Sequence, residues 1–458
     1  MTFKDGLIAA RSHIIFLLAV SVAFGLMYHL EKWDIQAQIE RKIREGLTID
    51  LSPDVPKVEP RALTDEEWRW AEIAWTYFER NYHPETGLVN SVEDYPATTM
   101  WDTASYLMAL ISVHRLEMID RAEFDDRMRR ALKGLENLPL YEGKLPNKSY
   151  NTATGRMTDY ANIPTERGIG WSAIDMGRLI APLHIVVWNY PVHAQRATRV
   201  LRRWDLNAMI RNGVMYGASP TAEGATEYLQ EGRIGYEEYA AKALYLLGMD
   251  VYRALRYMDF LEFIDIYGVR VPYDLRDPAN YGAQNYVLSE PYILDGIEFG
   301  WDEASREFAW RVYRAQERRY QETGILTAVS EDHLDQAPFF VYNTVFSDGI
   351  PWNCVDSRGN PAPQFRTLST KAAIGWYALY RTPYTEALVE RVRELHDPEK
   401  GWFSGLYETS EAPNRAITCN TNAIVLESLC FIRLGRHVTL YDTEQETPPI
   451  GRIRENMP

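Results

Sequence analysis

Carboxylates close to the starts of helical segments are the residues of this sequence that could do chemistry. Glu231 stands in the string QEGRIG, just before the segment YEEYAAKALYLLG, and Arg233 follows it closely. A glutamate that a cleft removes from water has a raised pKa, which suits a general acid. The structural alternative is that Glu231 accepts from the free N–H groups of a helix start. We take Glu231 as the first catalytic candidate.

A second carboxylate would complete the chemistry, because a pair of carboxylates is sufficient for glycoside hydrolysis. Asp102 follows Trp101 at another helix start, where aspartate is also a favoured cap. Asp159 and Asp348 lie in loops and are further catalytic candidates. Trp101, Trp171, Tyr236 and Trp402 would offer surfaces on which sugar rings stack. The predicted substrate-binding set is Trp101, Glu142, Trp171, Arg233, Tyr236, Glu290, Glu298, Trp402, Glu408 and Asn420.

The neighbouring glutamates of that segment receive a different interpretation. Glu238 and Lys242 are four residues apart, which predicts an outward-facing ion pair on the helix surface. The pattern does not decide the role of Glu237. We therefore expect Glu231, and not Glu238, to reach a site.

Other kinds of chemistry lack their usual patterns. The nine histidines and three cysteines show no zinc spacing, and there is no phosphate loop, dinucleotide fingerprint or nucleophile elbow. We therefore predict neither a metal nor a cofactor. The run EDHLD (331–335) is an alternative calcium site, although such loops are more often only solvated. A net charge of −15 argues against a nucleic-acid partner.

The elements that must position these carboxylates are helices, about twelve in number by the periodicity. They alternate between charged segments, such as 121–138 and 305–322, and segments rich in small and apolar residues that each follow a polar or aromatic cluster. The first kind is typical of outer helices and the second of buried ones. We expect an all-α (α/α)6 toroid with short β runs in its loops. Its inner helix starts would share one cleft; the alternative is an irregular bundle without one.

The ends of the chain differ from this body. Residues 13–30 contain an uncharged apolar run that predicts a single transmembrane helix. Ile35, Ile39, Ile43 and Leu47 continue as a helical stripe, which would suit a second copy in a homodimer or a partner of a polysaccharide machinery. We divide the chain into an anchor with its juxtamembrane helix (1–48), a Pro-rich linker (49–63), the toroid (64–435) and a flexible tail (436–458). We expect inner-membrane anchoring with the body in the periplasm.

An ordered set of strings carries a family resemblance: WDTASYLMAL, IGWSAIDMGRLIAPL, EGRIGYEEYAAKAL, EPYILDGIEFG, STKAAIGWYAL and NTNAIVLESL. With them, residues 62–435 resemble the bacterial DUF3131 family. That family is similar to glucoamylase-like domains and to β-1,2-glucanases of (α/α)6 fold. In the related glucanases a glutamate in an E-x-R-like string acts as general acid, which implies the same role for Glu231. The resemblance does not identify the base.

Two functions remain open on these grounds. The first is a membrane-anchored glycoside hydrolase or transglycosylase that acts on an envelope glucan or exopolysaccharide by carboxylate acid/base catalysis. The second is a non-catalytic glycan-binding or scaffold component of a polysaccharide synthesis or export system. In both cases the partner is an oligo- or polysaccharide. A lyase for acidic polysaccharides is a third alternative, which the negative net charge disfavours.

Overall fold

The computed structural model describes residues 16–17, 19–23, 25, 49–277 and 285–439. The chain divides into two units, residues 1–50 with 258–260, and residues 51–257 with 261–458. In the first unit the described residues 16–25 are helical, and the Ser21 hydroxyl donates to the Leu17 carbonyl. Within the part of the chain that is described, no helix has the length and apolar character needed to cross a membrane. Most of the predicted span 13–30, the stripe of residues 35–47 and the tail after residue 439 lie outside the described residues.

Helices form the framework of the second unit. In chain order they are α1 (Asp65–Arg80), α2 (Met100–Arg115), α3 (Arg121–Asn137), α4 (Ala173–Asn189), α5 (Pro191–Arg203), α6 (Tyr236–Leu246), α7 (Glu290–Leu294), α8 (Glu303–Thr323), α9 (Thr370–Tyr380), α10 (Pro383–Val392) and α11 (Cys419–Leu434). A π-helical turn, Asp295–Phe299, continues α7. The chain is therefore mostly helical, as the periodicity predicts.

Six of these helices close a ring. Each of α2, α4, α6, α7, α9 and α11 packs against the next in this order, and α11 returns to α2. Their side chains are small and apolar, and α2 is buried from Met100 to Val113 except at Trp101. Gly177 of α4 allows a close approach, since a Cβ there would lie 2.4 Å from the Cβ of Ala240 in α6. The predicted toroid is thus confirmed for this unit.

The outer helices cover the ring from outside. α1 packs on α11, α3 on α2, α5 on α4, α8 on α7 and α10 on α9. Outer helices place apolar residues on one face only, as in α3, where Phe124, Met128, Leu132 and Leu135 are buried among charged neighbours. This arrangement is the alternation of buried and half-exposed helices that the sequence predicts.

The periodicity of the sequence also predicts a helix over residues 250–259, and the structure departs from this prediction at the sixth outer position. After α6, residues 252–255 form turns and a short 3-10 segment, Tyr257–Asp259, follows. An antiparallel hairpin then packs on α8 through its second strand. Its strands pair Leu261 with Asp274 and Ile266 with Val269. Turns and a hairpin therefore take the place of the predicted outer helix.

Short strands lead the chain into the inner helices. β3 (Ala97–Thr99) ends directly before α2 and β18 (Thr367–Ser369) directly before α9, while β10 (Thr226–Gln230) ends just before Glu231. All strand pairs are antiparallel. The strands are Tyr82–His83, Leu88–Val89, Ala97–Thr99 (β3), Leu140–Tyr141, Leu145–Pro146, Ser149–Asn151, Met157–Thr158, Ile210–Arg211, Val214–Pro220, Thr226–Gln230 (β10), Leu261–Ile266, Val269–Asp274, Glu331–His333 (β13), Phe340–Asn343, Phe346–Ser347, Ile350–Pro351, Cys354–Asp356, Thr367–Ser369 (β18), His396–Asp397, Gly401–Tyr407 and Pro413–Ile417.

Candidate active site

The first turns of several inner helices meet at one end of the ring. The indole N–H of Trp101 in α2 donates to Glu290 Oε1 in α7 at 3.0 Å, and the Asn420 amide of α11 donates to the same oxygen at 2.7 Å. Lys371 of α9 lies 2.5 Å from the other oxygen of Glu290. Residues far apart in the sequence therefore come together in one group of polar side chains at the amino-terminal end of the ring, which we call the cleft.

Glu231 and Asp175 form one wall of this cleft. Glu231 Oε2 accepts from the N–H groups of Ala173 at 2.6 Å and Ile174 at 3.3 Å, at the start of α4. The hydroxyl of Ser172 lies 3.1 Å from Glu231 Oε2 and 3.0 Å from Asp175 Oδ1. The Ser172 hydroxyl has one proton, so it donates a hydrogen bond to only one of these two carboxylates at a time.

This pair holds a proton close to neutral pH. Removal from water raises the pKa of Asp175 to about 7, and the charge of Glu231 adds to the rise. Removal from water also raises the pKa of Glu231, while Lys148 and the hydrogen bonds from α4 oppose the rise. Two neighbouring carboxylates titrate as a unit. The pair can therefore give up one proton and take one back.

A buried ion network supports the opposite wall. Glu290 and Lys371 are its centre, and Asp332 lies 3.9 Å from the Lys371 amine. Asp332 also accepts from the hydroxyls of Thr367 and Ser369, each at 3.0 Å. Burial raises the pKa of Asp332 to about 7. The network fixes the starts of α7 and α9 relative to β13.

Glu331 is the carboxylate that this wall presents to the cleft. It precedes Asp332 in β13, and successive side chains of a strand point to opposite sides. Its Oε1 accepts a short hydrogen bond from the Tyr236 hydroxyl, and its Oε2 is a buried atom without a partner among the described residues. Removal from water, with the nearby charge of Glu290, raises the pKa of Glu331 to about 7.

Tyrosines connect the two walls. Burial raises the pKa of Tyr342, and the charges of both Glu331 and Asp175 act on its phenol. Tyr160 is 65% exposed, yet removal of its phenol from water raises its pKa, with further contributions from Asp175 and Glu231. Tyr342 therefore lies between the walls, and Tyr160 covers the side of the first pair.

A sealed charged cluster lies along the ring axis beneath the cleft. Arg178 donates to Glu298 at 2.8 Å and to Glu427 at 3.2 Å, and all three side chains are fully buried. The Tyr239 hydroxyl donates to Glu298 at 2.8 Å. The Trp101 ring centroid lies 4.8 Å from the Arg178 guanidinium. Trp101 thus separates this cluster from the cleft.

The three aspartates predicted as catalytic lie in different surroundings. Asp102 is buried and accepts from the hydroxyls of Ser91 at 2.5 Å and Thr99 at 2.8 Å. Asp159 accepts from two N–H groups of its own loop. Asp348 lies on an exposed turn. Beyond burial, which is the larger cause in both cases, the charge of Asp102 raises the pKa of Asp175, and the charge of Asp348 raises the pKa of Tyr286.

The acids predicted as substrate contacts are mostly engaged within the protein. Glu142 is an exposed residue that pairs with Lys144 and Arg167. Glu408 pairs with Arg319 at 2.6 Å, and although partial burial opposes it, such pairing lowers its pKa. Glu290 and Glu298 belong to the network and the axis cluster described above. These four side chains stabilise the protein's own framework.

The predicted stacking surfaces need a correction at two tryptophans. Trp171 and Trp402 are both 0% exposed, and their indole N–H groups donate to the carbonyls of Tyr216 and Trp70. A ring packed on both faces offers no surface to a sugar. Trp101 is partly exposed at the cleft, and Tyr236 carries the short bond to Glu331.

The predicted outward pair of Glu238 and Lys242 is wrong. Glu238 is buried and caps its own helix by accepting from the Gly235 N–H at 2.7 Å. Lys242 lies 2.6 Å from Asp295, in the helix next to it in the ring. Glu237 is also buried and pairs with Arg276 at 2.6 Å. Both glutamates face the protein, because α6 is an inner helix.

Sequence reasoning missed Asp175, Glu331, Lys371 and Tyr160 as members of the site. Asp175 is the third residue of α4, where an acidic residue is ordinary in a helix start. Glu331 and Asp332 were visible in the run EDHLD, but that run is a strand and not a calcium loop. Within the described residues no group of three metal-ligating side chains comes together.

The chain belongs to the family described as a protein of unknown function, DUF3131, whose model matches residues 69–435. No curated protein is significantly similar to it in sequence. The match covers the toroid from its first outer helix to the end of α11.

Solved structures share its fold at low identity. A glucoamylase-like protein of Bacteroides fragilis is 14% identical, with a TM-score of 0.62 over 89% of this chain and 99% of that one. An endo-β-1,2-glucanase of Chitinophaga pinensis is 13% identical, with a TM-score of 0.60 over 82% and 94%. An endo-β-1,2-glucanase of Talaromyces funiculosus is 11% identical, with a TM-score of 0.54 over 81% and 84%. The similarity establishes a glucoamylase-like toroid.

Proposed function

We propose that this DUF3131 protein is a glycoside hydrolase or transglycosylase that acts on an envelope glucan or exopolysaccharide by carboxylate acid/base catalysis. The observation that supports the proposal most strongly is that three carboxylates share the cleft. The pair of Glu231 and Asp175 lies on one side and Glu331 on the other, with Tyr342 close to both sides. Glycoside hydrolysis requires an acid at the leaving oxygen and a carboxylate for the attacking group.

The pair of Glu231 and Asp175 serves as the acid. It protonates the glycosidic oxygen while the bond from that oxygen to the anomeric carbon breaks, and the pair is left with both carboxylates ionised. The N–H groups of α4 and its positive helix end stabilise the added negative charge on Glu231. This keeps Glu231 in the role that the sequence predicts and adds Asp175 as its proton-sharing partner.

Glu331 serves as the base. Its unpartnered Oε2 is the atom that would accept the proton of the attacking water, or of a sugar hydroxyl in transglycosylation. A base with a pKa of about 7 is ionised and still basic near neutral pH. The Tyr236 hydroxyl holds the carboxylate in place through Oε1.

Trp101 and the tyrosines form the sugar-binding surface. The Trp101 ring is fixed by its bond to Glu290 and by its contact with Arg178, so its free face is presented to the cleft in one orientation. Such a rigid aromatic face suits a pyranose ring. Tyr160 would approach the sugar from the opposite side.

We expect the substrate to be a β-1,2-linked glucan first of all, because structures of this fold include endo-β-1,2-glucanases. We further expect residues 13–30 to anchor the protein in the inner membrane, with the toroid in the periplasm, since this segment is apolar and uncharged. Envelope glucans would then be within reach of the cleft.

The experiment incubates the full-length protein with β-1,2-, β-1,3- and β-1,4-glucans and measures new reducing ends. Glu231→Gln and Glu331→Gln should each lower the rate by about 100-fold or more, the usual range for loss of a general acid or base. Glu411→Gln is the matched control, because Glu411 is an exposed residue paired only with surface Arg391. Glucan binding without products in the wild type would replace this proposal with the non-catalytic scaffold.

A further inference from the structure

Arg233 lies within a cage of three tyrosine rings at the cleft floor. Its guanidinium carbon is 5.4 Å from the ring centroid of Tyr236 and 5.6 Å from those of Tyr286 and Tyr342. A guanidinium stacks on aromatic rings through its flat faces and keeps its N–H edge for hydrogen bonds. The cage therefore holds the side chain in place, and only the Tyr342 hydroxyl within it is a hydrogen-bond partner of the guanidinium donors.

Those donors lack a carboxylate partner. Arg233 Nε is buried without a hydrogen-bond partner, and no carboxylate of the described residues forms an ion pair with the guanidinium. Glu331 is the acid whose charge acts on Arg233, but its Oε1 is occupied by the Tyr236 hydroxyl. A cation removed from water without a counter-ion is unfavourable.

Two other buried arginines show what completes such a side chain. Arg276 binds Asp274 through Nε at 2.9 Å and Nη2 at 2.6 Å. Arg319 binds both oxygens of Glu408 through its two terminal nitrogens, at 2.6 and 2.9 Å. A planar carboxylate fits the guanidinium fork with two parallel hydrogen bonds. At Arg233 no carboxylate of the described residues pairs with the two terminal nitrogens, and the residue is partly exposed.

We propose that Arg233 binds a carboxylate carried by the glycan, so that the preferred substrate is an acidic glucan rather than a neutral one. The inference rests on the proposed function, because that function places the sugar chain in this cleft. The net charge of −15 does not prevent it, since charges more than about 8 Å away are largely screened at physiological ionic strength. The carboxylate could belong to a uronic acid ring or to an acyl substituent such as succinate.

Binding to the full-length protein tests this separately from cleavage. The probes are β-1,2-gluco-oligosaccharides of one length in three forms: neutral, oxidised to the carboxylate at C6, and O-succinylated. We expect at least one acidic form to bind about tenfold or more tighter than the neutral form, because a carboxylate forms a charge-assisted bidentate bond with a guanidinium. The form that gains affinity identifies the source of the carboxylate.

Variants decide whether Arg233 is responsible. Arg233→Gln should bind all three forms within about threefold of one another, and Arg233→Lys should keep part of the preference because it keeps the charge and loses the fork. Arg391→Gln, a surface arginine in an exposed ion pair, is the control and should behave as the wild type.

Equal binding of the three forms, no binding of the acidic forms, or a preference that survives in Arg233→Gln would each overturn the inference. These results are independent of product formation. A protein that cleaves neutral glucan without preferring the acidic forms would keep the proposed function and lose this inference. A protein that prefers the acidic forms but cleaves no glucan would keep this inference about binding and lose the proposed catalytic function.

Discussion

The cleft and the ring axis both contain carboxylates near basic side chains, but those of the axis are fully buried and several of those in the cleft are partly exposed. At the axis, Arg178, Glu298 and Glu427 are fully buried, and burial raises the pKa of both glutamates. At the cleft, Asp175 and Glu231 also have raised pKa values, but both side chains are partly exposed. Both regions have carboxylates that hold protons above their ordinary pH range.

The difference lies in access. Each axis carboxylate is bound to Arg178, and both axis glutamates are fully buried, so a proton there has no route to a substrate. Glu331 in the cleft and Glu427 at the axis each keep one oxygen without a partner among the described residues, but only Glu331 is partly exposed. A raised pKa therefore indicates burial in both regions, and only the partly exposed carboxylates indicate chemistry. Four variants or conditions can break or sharpen this distinction.

The largest effect is expected at the axis. Arg178→Met should lower the free energy of unfolding by about 3–5 kcal/mol, because it leaves the buried carboxylates without their counter-ion. Urea denaturation of the purified protein measures this. Glu331→Gln, in the cleft, is the comparison and should change stability by less than about 1 kcal/mol. Equal losses in the two variants would mean that the cleft is as structural as the axis.

Next in size is an effect on activity alone. Asp175→Asn should lower kcat by about 100-fold, since the pair loses the proton that it shares, while stability stays close to the wild type. The measurement is initial rate on whichever glucan the wild type cleaves. Glu408→Gln offers the contrast, because Glu408 pairs with two arginines outside the cleft and its loss should affect stability more than kcat.

A smaller effect concerns the pH dependence of stability. Asp332 has a folded pKa of about 7 against an ordinary value of 3.8, so its folded form binds protons more tightly than the unfolded chain. The stabilisation is complete below about pH 4 and is lost as the pH rises through 7. We expect the free energy of unfolding to fall between pH 4 and 8, with roughly 4 kcal/mol as the upper bound of the part due to Asp332, and to fall less in Asp332→Asn. Denaturation curves at several pH values measure this; an unchanged slope in the variant would contradict the prediction.

The smallest effect comes from one added methyl group. A Cβ at Gly217 would lie 2.1 Å from Glu231 Oε1, so Gly217→Ala must displace that carboxylate. Because Glu231 is partly exposed, it can move into the cleft, and we expect about a tenfold loss of rate with less than about 1 kcal/mol of destabilisation. Rate and thermal unfolding are measured on the same sample. A fully retained rate would argue against an exact position for Glu231.

The sequence predicts the ring well because helix burial has a simple signature. Segments of small and apolar residues, such as WSAIDMGRLIA, are buried in the structure except at the site residues Ser172 and Asp175. The prediction of a helix for the sixth outer element was wrong, because turns and a hairpin follow α6 instead. A short segment with few caps does not distinguish a helix from a strand by its composition.

The site was less predictable than the ring. Glu231 lies at the cleft, but Trp171 and Trp402 are core residues, and the spacing of an aromatic residue does not reveal which of its faces is covered. Asp175 was hidden because an aspartate in the first turn is the commonest of helix features. The roles of Glu331 and Asp332 can be distinguished only once their segment is known to be a strand. Successive side chains of a strand point to opposite sides, so Glu331 contacts Tyr236 and Asp332 contacts Thr367.

The contact between the first and the last inner helix has a consequence for how the protein is made. The Ser105 hydroxyl of α2 meets Asn420 of α11 at 3.1 Å, and Asn420 in turn holds Glu290. A chain still emerging from the ribosome lacks α11, and so it has neither a closed circle nor a finished floor. The proposed site is therefore complete only when the final helix of the body has been synthesised, after all its other parts.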